Sequence, residues 1–97
     1  MYVRVVRFTD VSPERMQELQ QRVQAAGGPP PGVNASGLTV LFDEGQRTAV
    51  VLQHFPTAED MEAAAKIFGA MDPSETPGTR VSVDACERVL ELTPSSA

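Results

Sequence analysis

The chain has 97 residues, a net charge of −5 and one cysteine, and a pI near 4.7. That length fits one domain with a single core, and the acidic balance with no basic cluster argues against nucleic acid and anionic membranes as partners. A lone Cys86 rules out an intrachain disulfide and a multi-thiolate metal site, and no run approaches the ~20 apolar residues of a membrane helix.

The first predicted element is a strand from Tyr2 to about Thr9. Val3, Val5, Val6 and Phe8 put apolar groups on both of its faces, interrupted by Arg4 and Arg7. A marked helix start follows. Ser12 can cap, Pro13 suits the first helical position and Glu14 sits near the positive end of the dipole. Met16, Leu19, Val23 and Ala26 recur at helical spacing, and Gly27 closes the helix. Residues 27–36, with three consecutive prolines, read as a stiff connector rather than a proline-rich recognition motif.

The stretch GLTVLFDEGQRTAVVLQHF, residues 37–55, reads as a β-hairpin turning at Asp43-Glu44-Gly45. Its second strand carries Ala49, Val50, Val51 and Leu52 in succession and needs cover on both faces. Thr57 and Asp60 then form an approximate capping box for a second helix. Met61, Ala64, Ala65, Phe68 and Met71 supply its apolar face, and Asp72-Pro73 stops it. A last strand is expected from about Arg80. A bulge near Cys86 to Arg88 would let Leu90 and Leu92 take over the apolar phase, ahead of a disordered tail at residues 93–97.

The order β-α-β-β-α-β predicts an α+β, ferredoxin-like domain over residues 1–92: a four-stranded antiparallel sheet of order 4-1-3-2 with both helices on one face. Two helices cover one face only. The other is expected to meet a second copy about a two-fold axis, giving a homodimer joined sheet to sheet. Periodicity leaves open whether Val50 or Val51 faces that mate. A soluble, cytoplasmic protein is expected, since MYVRVVRF reads as a strand and not as a signal peptide.

With its PPPGVNASG loop ahead of the hairpin and the junction Phe55-Pro56-Thr57-Ala58-Glu59 leading into a helix, the chain resembles the dimeric α+β barrel superfamily, which includes the antibiotic biosynthesis monooxygenases. The resemblance implies an α+β barrel built by two copies, with a ligand cavity between each sheet and its helices or loops. It also implies activities ranging from cofactor-independent oxygenation of aromatic polyketides to proteins with no assigned activity. The haem-degrading branch uses an Asn, a Trp and a His; this chain has no Trp, so haem degradation is disfavoured and no cofactor is expected.

Four residues are candidates for the site. His54, the only histidine, could serve as a general acid or base or be a structural rim residue. Arg4 could bind a substrate carboxylate in a bidentate fork, but pairing of Arg4 or Arg7 with Asp84 or Glu87 on the last strand is the favoured reading. Tyr2 could hydrogen-bond a phenolic ligand or anchor an interface; Asn34 could reach a cavity mouth or make an Asx turn. Cys86 is expected to be a small buried hydrophobe, and one His with one distant Cys leaves no metal-chelating spacing. Three functions follow as expectations: an oxygenase acting on an aromatic or polyketide-like molecule, a non-catalytic dimer binding a small apolar metabolite, or an assembly module with no cavity.

Overall fold

A computed structural model describes residues 1–70 and 76–94. The elements run β1 (Tyr2–Thr9), α1 (Pro13–Ala26), β2 (Gly37–Asp43), β3 (Thr48–Phe55), α2 (Ala58–Gly69) and β4 (Thr79–Glu87). The sheet is antiparallel with order β2-β3-β1-β4, so β1 and β3 are central. This is the α+β, ferredoxin-like layout that the strand and helix order implied.

Local chemistry sets the element ends. Ser12 accepts a hydrogen bond from Arg15 N–H at 3.1 Å, and Gly27 closes α1 in the left-handed region at φ 68°. Thr57 accepts from Asp60 N–H at 3.1 Å while its hydroxyl donates to the Asp60 carboxylate at 2.8 Å, so α2 begins on a closed cap. In the hairpin, Asp43 accepts from Gln46 N–H, and Arg47 takes the left-handed conformation that completes the turn.

Register decides which side chains share a face. Val6 lies opposite Val51 and Phe8 opposite Ala49, and Val40 and Phe42 of β2 extend the same face. With Val11 and with Met16 and Leu19 of α1, these residues form one core cluster. A second cluster joins Phe55, fully buried, to Val33, Met61 and Ala64, with Tyr2 and Phe68 packed against it. Both helices therefore lie over one face. Val51 is beneath the helices, and Val50 is on the open face with Val3, Val5, Leu52 and His54.

Several expectations require correction. The strand irregularity falls between Arg7 and Phe8, where Ser82 and Arg80 are the successive partners and Val81 is the extra residue. It does not fall near Cys86 to Arg88. Strand β4 ends at Glu87, so Leu90 and Leu92 take no apolar phase in the sheet; they are exposed, as is Val89. Cys86 is exposed, because it lies on the uncovered face of an edge strand opposite Val3. The α2 stop at Asp72-Pro73, the packing of Met71 and residues 95–97 of the expected tail lie outside the described residues. No helix among the described residues is long and apolar enough to cross a membrane.

Helix α1 covers the sheet unevenly. Met16 is buried and Leu19 half-buried, whereas Val23 is 39% exposed and Ala26 is exposed. The apolar stripe thus touches the core at its N-terminal half only, and its C-terminal half stands off the sheet.

Two substitutions test this packing by urea denaturation. Phe55→Ala should cost about 3–5 kcal/mol, as truncation of a fully buried aromatic leaves a cavity. Gly78→Ala should cost on the order of 1–3 kcal/mol, because a Cβ there would lie 2.3 Å from the Thr9 carbonyl oxygen and 2.9 Å from Val11.

Candidate functional site

The raised half of α1, the proline connector and the ends of β2, β3 and α2 enclose a cleft of about 1310 Å³ on the helix side of the sheet. Its floor is the even positions of β1 and the odd positions of β3: Arg4, Val6 and Phe8 beside Val51, Gln53 and Phe55. The volume exceeds the roughly 300–1,000 Å³ of ordinary small-molecule sites. The floor is apolar apart from one opposed pair, Arg4 and Gln53.

Arg4 is the unusual residue. It is 5% exposed, and its Nη1 donates to Gln53 Oε1 at 2.8 Å. Its guanidinium carbon lies 5.5 Å from the centre of the Phe68 ring, within the range of a cation–π contact worth about 0.5–2 kcal/mol. Its Nε is buried without a partner among the described residues. Burial lowers its pKa below the ordinary guanidinium value, and the like charge of Arg80 adds to this.

The expected pairing of Arg4 with a β4 carboxylate is not what forms. Arg4 is opposite Ala85 and Arg7 opposite Ser82, while Asp84 is opposite Val5 on the uncovered face. Parity therefore separates Arg4 from Asp84. Glu87 shares the face of Arg4 but lies opposite Tyr2 and makes no ion pair with it. The one ion pair within the described residues is Arg88 with Glu91, at 3.0 Å.

None of the other three candidates lines the cleft. His54 is on the open face, opposite Val3, and so on the other side of the sheet from the cleft. Its Nε2 is 3.3 Å from Thr39 Oγ1 and its Nδ1 is 3.3 Å from Arg88 Nη2. Since a guanidinium only donates, Nδ1 accepts and the ring proton sits on Nε2, facing Thr39. Both ring nitrogens are thus engaged. Tyr2 packs against the Phe55 and Met61 cluster. Asn34 donates from Nδ2 to the Asp60 carboxylate at 3.1 Å, tying the connector to the start of α2.

Sequence reading missed Gln53, Phe68 and Arg80 as companions of Arg4. Gln53 carried a usable signal: a lone amide in an apolar strand, on the parity of Ala49 and Val51. Arginines line the cleft at Arg4, Arg15, Arg22 and Arg80, and no described lining residue is Asp, Glu, His, Cys, Lys or Tyr. Arg15 is held by the Thr76 carbonyl oxygen. No three His, Cys, Asp or Glu side chains among the described residues gather closely enough to hold a metal ion. No family model, curated protein or solved structure matches the chain.

The Arg4–Gln53 contact is testable by a double-mutant cycle. Gln53→Leu should lose about 1–3 kcal/mol in chemical denaturation, because it leaves the buried guanidinium without its acceptor. Arg4→Met combined with Gln53→Leu should recover that loss, since an apolar pair of similar size replaces a buried polar one.

Proposed function

We propose that this protein binds a small, largely apolar molecule in the helix-side cleft and works as a homodimer joined through the open face of its sheet. The observation that carries the binding reading is the cleft itself, floored by Val6, Phe8, Val51 and Phe55 with one polar pair set among them. An assembly module would need this space filled. The lining favours binding over acid–base catalysis, because its ionisable groups among the described residues are all arginines, which do not exchange protons near neutral pH.

A second reading is favoured by Arg4: cofactor-independent oxygenation of an aromatic or polyketide-like substrate, in the manner of the antibiotic biosynthesis monooxygenases that the sequence resembles. A buried cation on the cleft floor would stabilise an oxyanion on a substrate that ionises by itself. His54 is behind the sheet from such a substrate, so the chemistry would rest on Arg4 and the substrate.

The homodimer rests on the other face. Val3, Val5, Val50 and Leu52 occupy its middle, Leu41 extends them on β2, and Arg7, Thr39 and Asp84 lie at their edges. An apolar centre inside a polar rim is the usual anatomy of an interface. A second copy about a two-fold axis is the least demanding cover. Beyond β4, Val89, Leu90 and Leu92 expose 89%, 72% and 81% of their surface and add apolar area for a mate to bury.

Sedimentation velocity at micromolar concentration should give a particle of about twice the 10.4 kDa chain mass. Val50→Asp should reduce it to a single chain or unfold it; a monomeric wild type would contradict the homodimer. Oxygen uptake with a quinol panel tests the second reading, which predicts turnover that falls at least tenfold in Arg4→Met. Turnover unchanged in that variant would remove Arg4 from the reaction.

A further inference from the structure

We propose, building on the binding reading, that the cleft is made for a carboxylic acid, its carboxylate seated on the Nε edge of Arg4 and its apolar body lying along Val6, Val40 and Val51. Two independent features of the molecule lead there.

The first is the state of Arg4. A guanidinium offers two faces suited to a fork: the end, between its two terminal nitrogens, and the side, between Nε and the adjacent nitrogen. Gln53 takes Nη1, the nitrogen remote from the side edge. The side edge keeps a buried Nε–H with no acceptor among the described residues. A buried donor left in that state costs stability, and a buried charge without a counter-charge costs more. Glu62 is an acidic alternative close by. It lines a smaller cavity of about 130 Å³ that also touches Arg4, yet it forms no ion pair with it. A planar monoanion that displaced the atoms packed on Nε would meet the side edge with two parallel hydrogen bonds and supply the missing charge. A tetrahedral dianion would bring a second charge to a floor that has one buried guanidinium.

The second feature is how charge is sorted over the surface. The chain has 13 acidic residues and 8 basic ones, yet Arg4, Arg15 and Arg80 line this cleft with no acidic residue among those described. Among its described residues, a protein of net negative charge thus places positive charge at one concavity, where low-dielectric walls focus its field on an incoming anion. Arg80, at the rim, makes no hydrogen bond or ion pair among the described residues, and its charge acts on Arg4. The walls between these charges are aliphatic and aromatic, which selects an acid with an apolar body over a small hydrophilic one.

Isothermal titration of the wild-type protein with octanoate, decanoate and naphthoate, each against its own methyl ester, tests the proposal. The esters keep the apolar body and lose the charge. At least one acid should bind about tenfold or more tightly than its ester, the effect of one charge-assisted contact of about 1.4 kcal/mol. Arg4→Lys should lose most of that preference, because an ammonium cannot form the fork. The Arg4→Met/Gln53→Leu variant, checked for folding by circular dichroism, should bind acid and ester alike; Lys66→Gln should behave as wild type. Esters binding as tightly as acids would overturn the carboxylate while leaving the apolar cleft in place. A preference that survives in the double variant would overturn the role of Arg4. Failure of acids and esters alike would remove the binding reading, and this inference with it.

Discussion

A guanidinium set into an apolar floor, donating to one amide and lying 5.5 Å from the centre of one ring, is the contact on which this structure turns. It exists because β1 alternates. Tyr2, Arg4, Val6 and Phe8 point beneath the helices, while Val3, Val5 and Arg7 point away. A one-residue slip of that strand would carry Arg4 to the surface and Arg7 into the core. The flanking pairs make the slip costly, since Val6 and Phe8 are fixed opposite Val51 and Ala49 and packed against Met16. Packing of hydrocarbon thus holds a charge where water would otherwise keep it. The unmet capacity of that charge gives the cleft its chemical character.

The same alternation gives the two faces separate work. Beneath the helices, α1 grips the sheet through Met16 and Leu19 and then stands away, and the space under Val23 and Ala26 becomes the cleft. On the other face, Val3, Val5, Val50 and Leu52 have no helix over them among the described residues, and His54 is held between Thr39 and Arg88 at their margin. Ligand binding and self-association, as proposed, draw on opposite sides of one four-stranded sheet. A change in one need touch the other only through the backbones of β1 and β3.

How much of this was legible in the sequence follows from the range of each cause. Helix ends are local: Ser12 with Pro13, Gly27 in the left-handed region and Thr57 with Asp60 all act within four residues of themselves, and each is where the sequence put it. Strand order followed from connection rules and from the doubly apolar patterns of β1 and β3. Parity was not legible, because Val50 and Val51 are equally apolar and packing across the sheet decides between them. The partner of Arg4 was only half legible, since the lone amide of Gln53 stood out in its strand but nothing local set it against Arg4. Gln53 is 49 positions away, and the expected partner, Asp84, is excluded by a register that no local residue announces. The bulge at Val81 and the free course of Leu90 and Leu92 were missed for a related reason: alternation within one strand carries no record of where its neighbour slips.

The most direct test of the account watches the Arg4 Nε–H itself, by nitrogen-15 NMR of the arginine side chains while decanoate is added. The account predicts that the Arg4 resonance is protected from solvent exchange in the free protein and moves on titration, together with the backbone signals of Gln53 and Phe68. An Arg4 signal that stays in place while Val3, Val5, Val50 and Leu52 respond would put the ligand on the opposite face of the sheet and contradict it.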